Sequence, residues 1–274
     1  MHFNKLGIHS AGSGLGANLV GVLSRLLAST AFNENPTLLR IAGVRESHTA
    51  LFNALRDCMD AVEASSTFER YMNETFKLEQ NTQISTTQRR FRASYLRLLR
   101  GWGFDANSRE GAVLKSWVES RFGIYPTFHK MPLRSFSSDA WANYIEEKMS
   151  SRFHNNAIYL QLDLLYEFCQ WSLARGGASP RHVTLYRGIN DFDEHRVIAA
   201  PQHGDGSVLR LNNLVSFSAS RIVASEFGDC LLEVQVPSVK VVFHSELLTR
   251  HALKGEAEYL AIGGDYHVKT IYLS

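Results

Sequence analysis

The chain has few cysteines, few prolines and no long apolar run. Its 274 residues include three cysteines, Cys58, Cys169 and Cys230, which are far apart and form no CxxC pair. Cysteines that are few and odd in number argue against a disulfide framework and indicate a reduced, cytosolic setting. No stretch approaches the roughly 18 uncharged apolar residues that a membrane span needs. The first residues lack the basic start and long apolar core of a signal peptide, so we expect a cytoplasmic protein without a membrane span.

The chain also has no large excess of positive or negative charge. The formal net charge is +2, which is too small to argue for binding to nucleic acid or to a membrane surface. The eleven histidines show neither HxxxH nor HxH spacing, so we expect no metal. Hydrophobic residues make up 45% of the chain and charged residues 20%, as in ordinary soluble globular proteins.

Hydrophobic periodicity divides the chain into a mainly helical part, residues 1–178, and a β-rich part, residues 179–274. One helix with a buried stripe is predicted by the spacing of Phe91, Tyr95, Leu98, Leu99 and Trp102. Together the two parts predict an α+β fold, in which the helical part covers a compact β-rich core within one integrated domain. Further helices are predicted from Ser108 to Gly123, from Ser137 or Ser138 to Met149, and over 157–175. In the second of these, the residues predicted to be buried are Trp141, Tyr144, Ile145 and Met149. Two short helices are predicted over 219–227 and 246–251. Strands are predicted over 182–187, 207–218, 230–236, 239–244, 258–262 and 267–273.

Three short motifs in the β-rich part carry polar side chains at strand ends. The run 184–188 is an apolar strand that ends in arginine and glycine, and the run 214–220 reads Leu-Val-Ser-Phe-Ser-Ala-Ser. In the third motif, Glu256 and Glu258 open a later strand, and strand alternation would point both the same way, roughly 7 Å apart. Like charges at this spacing repel, so a positively charged ligand or transition state beside them would explain the pair. Taken alone, a Glu-x-Glu of this kind is more commonly a solvated strand edge.

Together, these motifs resemble the arginine-serine-glutamate class of mono-ADP-ribosyltransferases. In that class an alanine and a phenylalanine follow the serine motif, and counting back from Ala224 and Phe227 places the motif on residues 216–218, with phenylalanine at its usual threonine position. Longer stretches are similar to the dinitrogenase reductase ADP-ribosyltransferases, and this similarity covers most of the chain. The stretches that carry it are 107–114, 151–158, 210–217, 255–260 and 263–266.

The resemblance implies that NAD is the substrate and gives each motif residue a task. Arg187 would hold NAD near its phosphates, since a guanidinium can fork onto phosphate oxygens, and Gly188 would let the backbone approach the nicotinamide amide. Ser216 would hold the catalytic glutamate or the nicotinamide ribose. Ser218 lies on the same strand face and is a second candidate for that task. Glu258 would bond the ribose 2′-hydroxyl and stabilise the oxocarbenium-like cation that forms when nicotinamide leaves.

The resemblance also implies an acceptor and a regulatory partner. Glu256 would orient an acceptor arginine and take its proton. The family's acceptor is an arginine of dinitrogenase reductase, the iron protein of nitrogenase, and its modification inactivates nitrogen fixation. A PII signalling protein is the implied activating partner. Three alternatives stay open: an NAD glycohydrolase, a transferase for another arginine protein, and a non-catalytic binding module.

Overall fold

The structure is a computed structural model that describes residues 18–78, 93–150, 156–175, 181–190, 196–199, 206–249 and 257–272. Three predictions lie outside these ranges: the boundary at residue 178, the site residue Glu256 and the stripe residue Phe91. Within them the chain forms helices followed by an antiparallel sheet, so the predicted α+β class is confirmed.

Nine of the α-helices in the described ranges precede the main sheet, and a tenth lies between two of its strands. Their bounds are α1 Ser24–Leu27, α2 Thr30–Glu34, α3 Val44–Ser47, α4 Thr49–Asp57, α5 Ala61–Phe76, α6 Tyr95–Phe104, α7 Arg109–Phe122, α8 Asp139–Lys148, α9 Asn156–Ala174 and α10 Arg221–Ser225.

Helix α7 illustrates how local sequence sets these bounds. The Ser108 hydroxyl accepts a hydrogen bond from the Gly111 backbone N–H at 3.2 Å and caps the first turn. Gly123 ends the helix with φ +68°, a left-handed conformation that favours glycine. Both ends agree with the prediction.

For α8, half of the predicted buried stripe is wrong. Trp141 and Tyr144 are buried, as predicted, but Ile145 and Met149 are exposed. The reason is that only one side of α8 packs against α7.

The strands have bounds β1 Phe128–His129, β2 Met131–Pro132, β3 His182–Ile189, β4 Arg196–Ala199, β5 Gly206–Ser218, β6 Cys230–Pro237, β7 Val241–His244 and β8 Glu258–Tyr272. The first two form a small hairpin, and the other six form one antiparallel sheet in the order β4-β5-β3-β6-β8-β7. Strands β5 and β8 also pair with each other, so the pairings β5–β3–β6–β8–β5 close into a ring.

Two predictions about the end of the chain are wrong. The two strands predicted over 258–262 and 267–273 are one strand, β8, which passes through the glycines at 263 and 264 without a break. Gly264 adopts φ +121° there, and a Cβ atom would lie 2.5 Å from the Ala28 carbonyl oxygen, so only glycine fits. No helix forms over 246–249, the described part of the helix predicted over 246–251, where the chain makes turns instead.

A bulge in β5 joins the sheet to the helical part. The register of β5 against β8 shifts between Leu211 and Leu214, which frees the two intervening asparagines from the ladder. The Asn213 amide group is fully buried and donates to the carbonyl oxygens of Lys115 at 2.8 Å and Ile124 at 3.0 Å. These bonds fix the C-terminal half of β5 against α7, and this half of β5 carries the serine motif.

Among the described residues, no helix has both the length and the apolar character needed to cross a bilayer. The same residues contain no group of three or more His, Cys, Asp or Glu side chains arranged to hold a metal ion.

Candidate active site

The end of β5 lies between the strands that carry the arginine and glutamate motifs. Ser218, the last residue of β5, pairs with Tyr186 of β3 on one side and with Glu258 of β8 on the other. The sheet therefore brings three motifs that are far apart in sequence to one point.

Ser216 makes a direct hydrogen bond to Glu258. In an antiparallel ladder, Ser216 is diagonal to Glu258 and on the same face, because two residues along a strand restore the side-chain direction. The Ser216 hydroxyl donates to Glu258 Oε1 at 2.7 Å, and Glu258 is only 5% exposed. The serine thus holds the carboxylate in place, as the resemblance implies for one of the two serines.

Ser218 and Ser220 make different contacts. The Ser218 hydroxyl lines the same cleft and accepts a bond from the Ser220 backbone N–H at 3.1 Å. Ser220 caps α10 by accepting a bond from the Val223 backbone N–H at 3.3 Å. The hydrogen bond to Glu258 described above comes from the Ser216 hydroxyl.

Arg187 approaches the serine motif from β3. Its Nη1 donates to the Ser216 carbonyl oxygen at 3.0 Å, and the side chain is half-buried at the cleft wall. Among the described residues that line the cleft, Arg187 supplies the positive charge and Glu258 the negative one. The cleft therefore offers a guanidinium for an anionic group and a carboxylate for a cationic one.

Gly188 is required by packing. A Cβ atom at this position would lie 2.2 Å from the Ala224 carbonyl oxygen of α10. Gly228, just after α10, is equally tight, since its Cβ would lie 2.4 Å from the Ile189 backbone. The two glycines let α10 lie directly on β3, which brings Val223, Ala224 and Phe227 into the cleft wall.

The start of β8 departs from the extended conformation assumed from the sequence. Ala257 has φ +46° and lies in a turn, and its carbonyl oxygen accepts a bond from the Ala219 backbone N–H at 3.0 Å. Because Ala257 is not extended, strand alternation does not reach back from Glu258 to Glu256, and the predicted spacing of roughly 7 Å loses its basis. On the other edge, the Ser245 backbone N–H donates to the Glu258 carbonyl oxygen at 2.9 Å.

The helical part supplies a cleft residue that the sequence patterns assigned only to the core. The indole Nε1 of Trp102, in the last turn of α6, donates to the Ser216 hydroxyl oxygen at 2.7 Å. Helical spacing identified Trp102 correctly as buried. The one hint in the sequence that Trp102 also belongs to the cleft was chemical. A buried indole N–H needs a hydrogen-bond acceptor, and that acceptor had to lie outside the apolar stripe.

The resulting cleft has a volume of about 310 Å³. It contains five of the six predicted site residues, and the sixth, Glu256, lies outside the described residues. Its walls are formed by Trp102, Gly103, Tyr186, Arg187, Gly188, Ser216, Phe217, Ser218, Val223, Ala224, Phe227 and Glu258.

The chain is similar to known proteins over almost its whole length. The family model described as dinitrogenase reductase ADP-ribosyltransferase matches residues 17–270. The NAD(+)–dinitrogen-reductase ADP-D-ribosyltransferase of Rhodospirillum rubrum is 54% identical over 274 residues, which cover 98% of this chain and 99% of the relative. No solved structure matches the chain. Because the family model matches most of the chain and the relative is 54% identical, the chain belongs to the dinitrogenase reductase ADP-ribosyltransferase family.

Proposed function

We propose that this protein is an NAD-dependent protein-arginine mono-ADP-ribosyltransferase that modifies dinitrogenase reductase. The observation that carries the proposal is the buried Glu258 carboxylate, held by Ser216 in a cleft that also contains Arg187. The name of the Rhodospirillum rubrum relative supports both NAD as the donor and dinitrogenase reductase as the acceptor. Modification of the iron protein of nitrogenase would switch off electron delivery and with it nitrogen fixation.

The first half of the reaction breaks the bond between ribose C1′ and the nicotinamide nitrogen. The bond's electron pair goes to the pyridinium, which leaves as neutral nicotinamide, so no general acid is needed. A developing cation remains on the ribose. The Glu258 carboxylate stabilises that charge and accepts a hydrogen bond from the ribose 2′-hydroxyl. Its burial strengthens this interaction, because the dielectric response of the surroundings is weaker than in water.

Arg187, Gly188 and the serines bind and orient the substrate in this proposal. The Arg187 guanidinium pairs with the NAD phosphates and is charged at every working pH. Its Nη1 bond to the Ser216 carbonyl oxygen orients the guanidinium in the wall of the cleft. Gly188 lines the cleft and would offer its peptide group to the nicotinamide amide, and Ser218 adds a hydroxyl on the same side as Glu258.

The second half forms a bond between ribose C1′ and a guanidinium nitrogen of the acceptor arginine. That nitrogen must lose a proton as the bond forms, and Glu256 is proposed as the group that accepts it and then releases it to solvent. Atoms and charge balance: NAD and protein arginine yield nicotinamide, ADP-ribosyl-arginine and one proton. Water in place of the arginine gives the glycohydrolase reaction at the same carbon.

The wider setting follows the family. We place the protein in the cytoplasm and propose a PII signalling protein as its activating partner. We also propose that the region 1–178 serves as the cover and docking surface and the region 179–274 as the NAD-binding catalytic core.

The test is incubation of the purified protein with NAD labelled in the adenylate and with dinitrogenase reductase. We expect label on dinitrogenase reductase and release of one nicotinamide per label. An acceptor whose target arginine is replaced by lysine serves as the control and should remain unlabelled. Free ADP-ribose without labelled protein would instead identify an NAD glycohydrolase, label on another arginine protein would change the acceptor, and no NAD cleavage would identify a binding module.

A further inference from the structure

Trp102 is joined to Glu258 through one hydroxyl group. Trp102 Nε1 lies 2.7 Å from Ser216 Oγ, and Ser216 Oγ lies 2.7 Å from Glu258 Oε1. We propose that Trp102 is a positioning residue for the transfer reaction, through which helix α6 sets the orientation of the Ser216 hydroxyl and thereby of the Glu258 carboxylate. This inference rests on the proposed function.

The chemistry of the three groups fixes the direction of both bonds. An indole N–H can only donate and an ionised carboxylate can only accept, whereas a serine hydroxyl does both. Because Trp102 donates to the Ser216 oxygen, the serine's single hydrogen is directed to Glu258. Without the indole donor, the hydroxyl would be able to rotate and accept from other donors.

The indole itself is held firmly. Trp102 is 4% exposed and belongs to the buried stripe of α6 with Tyr95, Leu98 and Leu99. The Lys115 ammonium lies 5.8 Å from the centre of its ring, within range of a cation–π interaction.

Lys115 is in turn fixed from two directions. Its ammonium donates to Asn107 Oδ1 at 3.0 Å and to the Phe128 carbonyl oxygen at 3.1 Å. The indole is thus packed between the α6 stripe and a buried, anchored charge, and its N–H keeps one direction.

A fixed donor chain matters because Glu258 must act on charge that appears only in the transition state. A preorganised carboxylate needs no reorientation at that moment, whereas a mobile one does. In addition, hydrogen bonds in a chain polarise one another, so the Trp102 bond strengthens the Ser216 bond to the carboxylate. The expected consequence of losing Trp102 Nε1 is a lower turnover number with little change in NAD affinity.

The test compares two tryptophans that make the same kind of bond in different places. Trp102→Phe removes the indole N–H in the cleft. Trp117→Phe removes the indole N–H that donates to Asp163 Oδ1 at 2.7 Å inside the helical part, and it serves as the matched control. We expect Trp102→Phe to lower kcat about threefold to tenfold, the range expected for one hydrogen bond, with KM for NAD within about twofold of the wild type. Trp117→Phe should lower the melting temperature but leave kcat unchanged.

A second pair of variants shows whether the effect passes through Ser216. Trp102→Phe should have no additional effect on kcat in a Ser216→Ala background, because the intermediate hydroxyl is already gone. If Trp102→Phe alone does not fold, benzothienylalanine at position 102 keeps the shape of indole and replaces its N–H with sulfur, and the same fall in kcat is expected.

A wild-type kcat in the variant that lacks the indole N–H would overturn the inference. A rise in KM alone would also overturn it, because Trp102 would then contribute to NAD binding and not to the positioning of Glu258. If Trp117→Phe lost as much kcat as Trp102→Phe, the loss in both variants would be explained by general destabilisation, and the inference would fail. These results differ from failure of the proposed function, which would appear as absence of ADP-ribose transfer by the wild-type protein.

Discussion

The side-chain oxygens of Ser216 and Glu258 lie 2.7 Å apart, on the neighbouring strands β5 and β8. Forty-two positions separate these residues in sequence, so the contact depends on the register of the β5–β8 ladder. A shift of one residue would turn the serine to the opposite face of the sheet. The bulge at Asn212 and Asn213 is anchored to α7 and shifts this register, so it helps to set which residues of β5 lie beside Glu258.

Glu258→Gln should abolish NAD cleavage while NAD binding remains. The amide keeps the shape of the side chain but has no negative charge for the ribose cation, so the loss falls on the transition state. We expect kcat to fall on the order of 10²–10³-fold or more, as for removal of other preorganised electrostatic groups. Nicotinamide release gives kcat, and calorimetry with NAD gives the dissociation constant. Near-normal turnover would remove Glu258 from the catalytic centre.

Arg187→Lys should weaken NAD binding even though the charge is conserved. Lysine cannot hold a phosphate through two parallel N–H donors, and it also loses the guanidinium bond to the Ser216 carbonyl. We expect the dissociation constant for NAD to rise about tenfold to a hundredfold, the range that the loss of one charge-assisted hydrogen bond gives. An unchanged constant in a folded variant would show that Arg187 does not contact NAD.

Glu256→Gln should separate transfer from hydrolysis. Glu258 alone supports formation of the ribose cation, and water can then react in place of the arginine. Transfer to dinitrogenase reductase should therefore be lost while measurable NAD hydrolysis persists. Both are read from one reaction, as label on the acceptor and nicotinamide in solution. A parallel fall of the two activities would assign Glu256 to NAD, and persistent transfer would mean that other residues position the acceptor.

Gly188→Ala should destabilise the fold around α10. The new Cβ would lie 2.2 Å from the Ala224 carbonyl oxygen, so the helix must move away from β3. We expect a loss of about 1–3 kcal/mol in the free energy of unfolding, as for other overpacked sites. Gly206→Ala, in β5, is the control, since its nearest atom would be the Val268 carbonyl oxygen at 3.8 Å. Equal stability of the two variants would contradict the close packing of α10 on β3.

Lys240 should make stability depend on pH. Its ammonium group is buried over the rings of Phe32 and Tyr266, with Asp265 as the nearby charged group, and burial lowers the Lys240 pKa to about 7. Between pH 7 and the ordinary lysine pKa the unfolded chain binds the extra proton, so the free energy of unfolding rises with pH in this window. Below about pH 7 both states are protonated, and this dependence ends.

The corresponding measurement is urea unfolding at several pH values between 7 and 9.5. Wild type should gain at most about 1.4 kcal/mol per pH unit from this group, and Lys240→Met should lack that gain. Below pH 7 the difference between the two proteins should be constant. Parallel curves from pH 7 to 9.5 would show that Lys240 is not buried as the structure describes.

Much of the fold could be predicted from local patterns. The helix from Ser108 to Gly123 was fully specified, because a serine cap and a glycine stop act over a few residues. The α6 stripe was specified for the same reason, since helical spacing is a local property. The wrong predictions concern sites where distant contacts decide. Ile145 and Met149 match the helical period, but nothing in the described part of the chain buries them.

For the site, the sequence by itself determined which residue types were present and in which motifs. It identified Arg187, Ser216 and Glu258 as one constellation through their resemblance to a known class. Only the tertiary structure showed that the Ser216 hydroxyl donates to Glu258, because this contact depends on the β5–β8 register. It alone brought Trp102 to Ser216, since a hydrogen bond across 114 positions leaves no periodic or compositional trace in the sequence.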